Sequence, residues 1–338
     1  MTRLLLAITI LAASAWAGPS AVHAQELRLD PDKVMGPTAC GDCHEASIAA
    51  WRDTHHFSTF KDMPRTAEAR DIADKLDIKR IKAEGECVSC HFTSKMEDGD
   101  VDTIGGITCE SCHGAGKDWI EIHSDFGGKD ATAENESEAH RTQRWAKSEA
   151  AGMIRPGDLY KLAENCYQCH TVPKENLVNT GGHPAGSNFE LVAWSQGEVR
   201  HNVWYNDGAS NAEASQNRKR VMFLVGQALD LEYALRGVAK ATQKAQYAVQ
   251  MAKRAKRSAL RIKAISDAGV SIPEVGELLK IAGSAKVSLN NEAALTAAAD
   301  KVAVQAKAIA SNYDGSELAA LDGLLPSADA YKGTVYAP

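Results

Sequence analysis

The sequence predicts a mainly α protein in two parts. A loop-rich part is built on a repeated cysteine–histidine unit, and a small antiparallel helical bundle follows it. Three observations carry this reading. Four copies of C-x-x-C-H, at 40–44, 87–91, 109–113 and 166–170, use all eight cysteines. From about Gln216, apolar residues recur every three or four positions for many turns, the period of a helix with one buried face. Formal charge changes sign near residue 210. Residues 25–210 hold 20 Lys and Arg against 32 Asp and Glu, net −12, whereas 211–310 hold 16 against 8, net +8.

The first element is a leader. Arg3 precedes the apolar run LLLAITILAASAWA, and the small-residue stretch AVHA follows. This is the pattern of an export signal over residues 1–24, cleaved after Ala24. The apolar run is too short to span a bilayer comfortably, and no later stretch reaches the length of a span. The expected location is the periplasm or another exported compartment. The expected division is a motif-bearing domain over 25–210 and a helical bundle with its tail over 211–338.

The repeated unit defines the chemistry. Eight cysteines in an exported chain could form four disulfides. That does not explain a histidine after every second cysteine. Zinc would suit thiolates and imidazoles, but its sites pool ligands from two motifs rather than repeat one unit whole. C-x-x-C-H is the attachment unit of c-type haem. Cys40 and Cys43, Cys87 and Cys90, Cys109 and Cys112, and Cys166 and Cys169 would form thioethers to the vinyl groups. His44, His91, His113 and His170 would be the proximal iron ligands. Four covalently bound haems are the expected cofactors. The glycines around the third unit, GGITCESCHGAG, are expected to let backbone pass close to a flat macrocycle.

Each iron has a second axial face. The candidates outside the motifs and the leader are His55, His56, His123, His140, His183 and His201. Methionine is the rival ligand, but Met35, Met63, Met96 and Met153 stand in no setting that marks them. Only 17 residues separate His91 from Cys109, against 42 between His44 and Cys87 and 52 between His113 and Cys166. The second and third haems are therefore expected to be near neighbours.

Four stretches together resemble the tetrahaem cytochrome c-554 family over roughly residues 38–205. They are ACGDCHEASIAAWRDTHH, CVSCH, GGITCESCHGAGKDWIEIH and, after the fourth motif, a helix-like WSQGEVRHNVWY. The resemblance implies His56, His123 and His201 as distal ligands, with His201 on the first haem. It leaves His55 and His140 as bystanders, although His55 could replace His56. It also implies near-parallel stacking of the close haem pair and one five-coordinate haem. This chain departs from the family there, because GGHPAG (181–186) presents His183 on a tight turn. His183 is read as the fourth distal ligand, for the haem of Cys87 and Cys90.

The remaining elements are plain. KMEDGDVD (95–102) lacks EF-hand spacing and reads as a solvated loop rather than a calcium site. Residues 124–140 read as a polar connector. The apolar face over Val221–Ile262 contains Gly226 and Gly237, and Gly237 is expected to mark a break. Pro273 opens a short helix, and 290–313 forms another, capped by Asn290 or Asn291 with Gly315 beyond its end. The basic stretch KRAKRSALRIK (253–263) is alanine-rich and nearly lacks aromatics, which argues against nucleic acid. It is expected to face the acidic part or an acidic partner. The helices read as a cap over the haem part, with dimerisation or partner docking as the sharper alternative.

The function read from the sequence is an exported tetrahaem electron carrier with His–His ligated irons. Its partners would be other redox proteins, such as a periplasmic oxidoreductase, a quinol-linked cytochrome or a terminal reductase. One alternative is a reductase of nitric oxide, nitrite or hydroxylamine at an open-faced haem. Another is a filament-forming electron conduit.

Overall fold

The structure, a computed structural model, describes residues 28–338. The leader read over residues 1–24 lies outside the described residues. The fold is mainly α, as the sequence predicts. Its motif-bearing part is made of short helices: α1 (Pro37–Gly41), α2 (Glu45–Arg52), α3 (His55–Asp62), α4 (Ala67–Lys75), α5 (Gly85–His91), α6 (Cys109–His113), α7 (Ile120–Ser124), α8 (Glu138–Ala150), α9 (Leu159–His170), α10 (Glu175–Asn179) and α11 (Leu191–Ser195). Polar side chains start several of them. Thr54, Thr66, Ser137 and Asp158 each accept a backbone N–H from the first turn they precede.

Between α5 and α6 the loop reading of 95–102 is corrected. Thr93–Glu97 (β1) and Asp100–Gly105 (β2) pair antiparallel. Asp98 and Gly99 turn the hairpin with φ of 51° and 91°, the left-handed values of a tight two-residue hairpin turn. The Asp-Gly pair is the local signal that favours this turn.

Four longer helices follow: α12 (Gln216–Lys240), α13 (Gln246–Asp267), α14 (Pro273–Ser284) and α15 (Glu292–Asn312). Short connections make them a bundle of antiparallel neighbours. Gly237 does not break α12. A Cβ there would press on Met251 Sδ at 2.8 Å, and one at Gly226 on Leu191 Cβ at 2.9 Å. Both glycines let a neighbour approach the α12 axis. The break falls at Ala241–Ala245, where the Glu175 carboxylate accepts Thr242 N at 2.9 Å and Gln243 N at 3.3 Å.

The change of sequence character near residue 210 is not a gap in packing. One apolar core joins Leu224, Leu231, Met251, Leu278 and Ile309 of the bundle to Leu159, Ala163 and Tyr167 of α9 and Val192 of α11. Polar contacts cross the same seam. Tyr160 donates to the buried Glu232 at 2.9 Å, and Tyr233 donates to Glu164 at 3.3 Å. The segment 196–203 is turn and loop rather than helix. Gly197 is held against the carbonyl of Lys332 in the C-terminal tail, where any Cβ would collide.

Candidate haem-binding site

In each motif the cysteines and histidine stand at positions i, i+3 and i+4. A helical turn puts such positions on one face. Three motifs form the last turn of α5, α6 and α9, and the first spans the end of α1 and the start of α2. None of the eight cysteines is paired in a disulfide.

Each motif histidine faces one histidine from a remote segment. Ring centroids are 6.3 Å apart for His44 and His123, and 6.4 Å for His170 and His56. They are 6.3 Å apart for His91 and His183, and 6.2 Å for His113 and His201. The spacing fits a hexacoordinate iron. With metal–imidazole bonds of about 2.0 Å and ring centres about 1.1 Å behind their nitrogens, two axial imidazoles have centres about 6.2 Å apart. Interplanar angles run from 20° to 85°, and rotation about a common axis leaves the centroid spacing unchanged.

The second ring nitrogens support the same arrangement. Nδ1 of His113 donates to Ile154 O at 2.9 Å, that of His123 to Ile120 O at 2.5 Å, that of His183 to Pro184 O at 2.9 Å and that of His201 to Val199 O at 2.8 Å. His170 Nδ1 lies 3.2 Å from Ser187 Oγ. A proton committed to Nδ1 leaves Nε2 as the free lone pair, the usual orientation of a metal-binding histidine. Burial also lowers the pKa of His44, His56, His113 and His123, and brings His91 and His170 down to about 4. Partly buried imidazoles held neutral are in the ligating form.

His55 and His140 are engaged elsewhere. His55 Nδ1 lies 2.7 Å from Glu198 Oε2, and His140 Nδ1 lies 2.7 Å from Glu136 Oε1. One pairing differs from the sequence reading. His201 faces the third motif rather than the first, whose His44 faces His123.

Polar contacts order the motifs in space. Glu110 of the third motif accepts Gly36 N just before the first at 2.8 Å, and Lys174, just past the fourth, donates to Ser89 Oγ of the second at 2.8 Å. Asn165 Nδ2 donates to Cys112 O at 2.9 Å, linking the third motif to α9. Arg28 bridges the same junction, donating to Ser111 O at 3.2 Å and to Asn165 Oδ1 at 2.9 Å. These contacts run first–third, third–fourth and fourth–second. The second and third motifs, closest in sequence, touch through Thr93 Oγ1 and Ser111 Oγ at 3.0 Å.

Sequence reasoning missed Glu110, inside the third motif. Its carboxylate is buried and accepts Met35 N at 2.8 Å, Gly36 N at 2.8 Å and Gly116 N at 2.7 Å. It ties the approach to the first motif onto the third. Two glycines around the third motif admit close backbone crossings. A Cβ on Gly106 would collide with His56 O, and one on Gly114 with Gly152 O. The first crossing brings α3, with His56, onto the β2–α6 link, where Ile107 N donates to His56 O at 3.0 Å, and the second brings the α8–α9 link onto the third motif, where Ile154 N donates to His113 O at 2.8 Å.

Paired thiols and a histidine on one helical face, opposite a second histidine at ligand spacing, fit a covalently held haem. No group of three or more His, Cys, Asp and Glu side chains that could hold a bare metal ion occurs among the described residues. Residues 39–114, which include the first three motifs, match the family model described as cytochrome c554 and c-prime. The chain is 26% identical over 143 residues to cytochrome c-554 of Nitrosomonas europaea, a match covering 40% of this chain and 56% of that relative. No solved structure matches. The motif-bearing part of the chain thus resembles the cytochrome c-554 family both in its motifs and in these two comparisons.

Proposed function

We propose that the protein is an exported tetrahaem c-type cytochrome that carries electrons between redox partners. The four histidine pairs at 6.2 to 6.4 Å carry this reading. On it, Cys40 and Cys43, Cys87 and Cys90, Cys109 and Cys112, and Cys166 and Cys169 hold the four haems. His44, His91, His113 and His170 are proximal ligands, and His123, His183, His201 and His56 are their respective distal ligands. Haem supplies one-electron exchange. The chain supplies axial nitrogens and fixes the tautomers of His113, His123, His183 and His201 through backbone carbonyls.

His183 bears on the alternative. A reductase of a small nitrogen compound needs one open axial face, and His183 stands opposite the one motif histidine that the family resemblance leaves without a partner. Electron transfer without substrate binding at iron is therefore the better-supported reading. Export rests on the leader pattern. None of the described helices is long and apolar enough to cross a membrane. Redox proteins of the same compartment are the proposed partners, and the C-terminal helices are proposed mainly as a cap on the haem part.

Mass spectrometry of the denatured protein, with low-temperature EPR of the ferric form, tests the proposal. The expected result is four retained haems and only low-spin signals. Four disulfides without haem would overturn the cofactor assignment. A high-spin centre in the unmodified protein would favour the reductase.

A further inference from the structure

We propose that the surface around His44 is the docking face for a redox protein whose own exposed centre is rimmed by lysine and arginine. The proposal rests on the electron-carrier reading and adds to it a place of exchange and the chemistry of the partner.

Trp204 packs on the His44 ring, with centroids 4.2 Å apart and planes at 45°. Trp204 is 45% exposed, and its neighbour Tyr205 is 86% exposed. Two large aromatic side chains so open to solvent, one of them against a motif histidine, form an uncovered shelf directly over the first motif. The shelf is built rather than frayed. Residues 204–206 form a 3-10 turn that ends at Asp207 in the left-handed region, with φ of 51°. Gly208 follows against α2, where a Cβ would lie 3.2 Å from Ala46 Cβ. Val203, beneath the turn, is fully buried. The same segment carries His201, which faces His113. It therefore touches the first and third motifs together.

Carboxylates border the shelf. Asp42 and Glu45 flank His44, Asp207 closes the aromatic turn, and Glu121 and Asp125 flank His123 across the pair. All five are exposed. None has an ion-pair partner within 4 Å among the described residues, whereas nearby Asp118 is paired with Lys33 at 2.6 Å. The cation nearest His123, Arg144, faces inward onto Glu136. Unpaired carboxylates around an exposed aromatic patch complement a basic rim and repel an acidic one. The patch also has the anatomy of a contact centre, aromatic within and charged at the edge.

Of the contacts between motifs described above, those of the first run only to the third, so it stands at one edge of the cluster. The second motif is covered more closely. Cys87 and Val88 are buried with Phe92, and Phe60 and Met63 pack against them. An open terminus at the first motif is where outer-sphere exchange with another protein needs the shortest approach.

The test uses the full haem-loaded chain and mitochondrial cytochrome c, a lysine-rimmed monohaem protein, as the probe. Haem content and low-spin EPR are recorded first, so that failure of the carrier reading shows there and nowhere else. Association is then followed by NMR shifts and stopped-flow at low and high salt. Asp42→Asn/Glu45→Gln/Asp207→Asn should slow association about tenfold or more at low ionic strength and flatten its salt dependence. Glu68→Gln/Glu138→Gln/Glu317→Gln, of equal charge change elsewhere, should leave it near the parent value. Trp204→Ala should slow electron exchange with the bound probe while leaving the low-spin spectrum unchanged. A loaded low-spin parent whose association is the same in the Asp42 triple variant, or equally slowed in the control triple, overturns the docking face.

Discussion

Arg254, on the C-terminal helix α13, donates Nη1 to the carbonyl of Ser187 at 3.0 Å. Ser187 Oγ in turn lies 3.2 Å from Nδ1 of the motif histidine His170. The bundle thus reaches into the surroundings of the fourth motif through a buried cation. Its charge is matched by Asp230, which accepts Arg254 Nε at 2.6 Å and Ser258 Oγ at 2.5 Å. Arg254→Met leaves the buried Asp230 with only the more distant Arg261, at 3.8 Å, as a cation. Breaking such a pair costs about 3–5 kcal/mol. Thermal unfolding of the variant should show that loss, and Arg254→Met/Asp230→Leu should recover part of it. The signals of the haem at His170 should shift in Arg254→Met before those of the others.

Removing the tail tests a second link from the extension to the haem part. Lys332 N donates to Ala193 O at 3.0 Å, its carbonyl accepts Glu198 N at 2.8 Å, and Asn211 Nδ2 donates to Tyr336 O at 3.0 Å. These bonds strap the segment that carries His201. Truncation after Ser327 should loosen the His201–His113 pair and produce a partly high-spin signal. The other three centres should stay low-spin by EPR.

His183→Ala should create one high-spin ferric centre that binds cyanide, because it empties the position opposite His91. His140→Ala should not, since His140 faces Glu136. Equal cyanide binding by parent and His183→Ala would remove His183 from the ligand set.

Glu136 gives a pH prediction. The Arg144 guanidinium, with His140 and Arg141, holds its carboxyl down to about 2. A depressed carboxylate stabilises the fold above its unfolded pKa, and that contribution is lost as pH falls through the folded value. Stability from this group is therefore present above about 4.5 and declines toward about 2. Arg144 also donates to His123 O at 2.5 Å, so the loss should loosen α7. Glu136→Gln should be less stable than the parent at pH 6, and the difference should narrow by pH 2.5 in acid titrations followed by circular dichroism.

Glu110→Ala removes an acceptor from Met35, Gly36 and Gly116 N–H together. Each buried donor left alone costs about 1–3 kcal/mol. The melting temperature should fall, and the haems of the first and third motifs should respond together. Glu110→Gln, which keeps acceptor oxygen, should be milder.

The motifs were legible because thioether attachment is local chemistry, written in five consecutive residues. Which histidine faces which motif was not, because that pairing depends on how remote segments cross. His201 sits nearest the fourth motif in sequence, yet its segment is fixed by a crossing at Gly197 with Lys332 of the distant C-terminal tail. The hairpin turn at Asp98–Gly99 had a local signal, but the charged strands around it lacked the apolar alternation that marks a half-buried sheet. Helix α12 was clear from its period. Its glycines read as weaknesses because the residues they admit, Leu191 and Met251, lie far away in the chain.

The histidine pairs join segments roughly 80 to 110 residues apart, and the entropy of closing such loops is substantial although it grows slowly with length. On the proposed reading, maturation is then a two-act process. Thioether formation needs only five residues and proceeds on an extended chain during export. The distal bonds wait until α3, α7 and the segments around His183 and His201 have come home. A newly secreted chain should be coloured before it is low-spin, and that interval is when stray ligands find an iron to occupy.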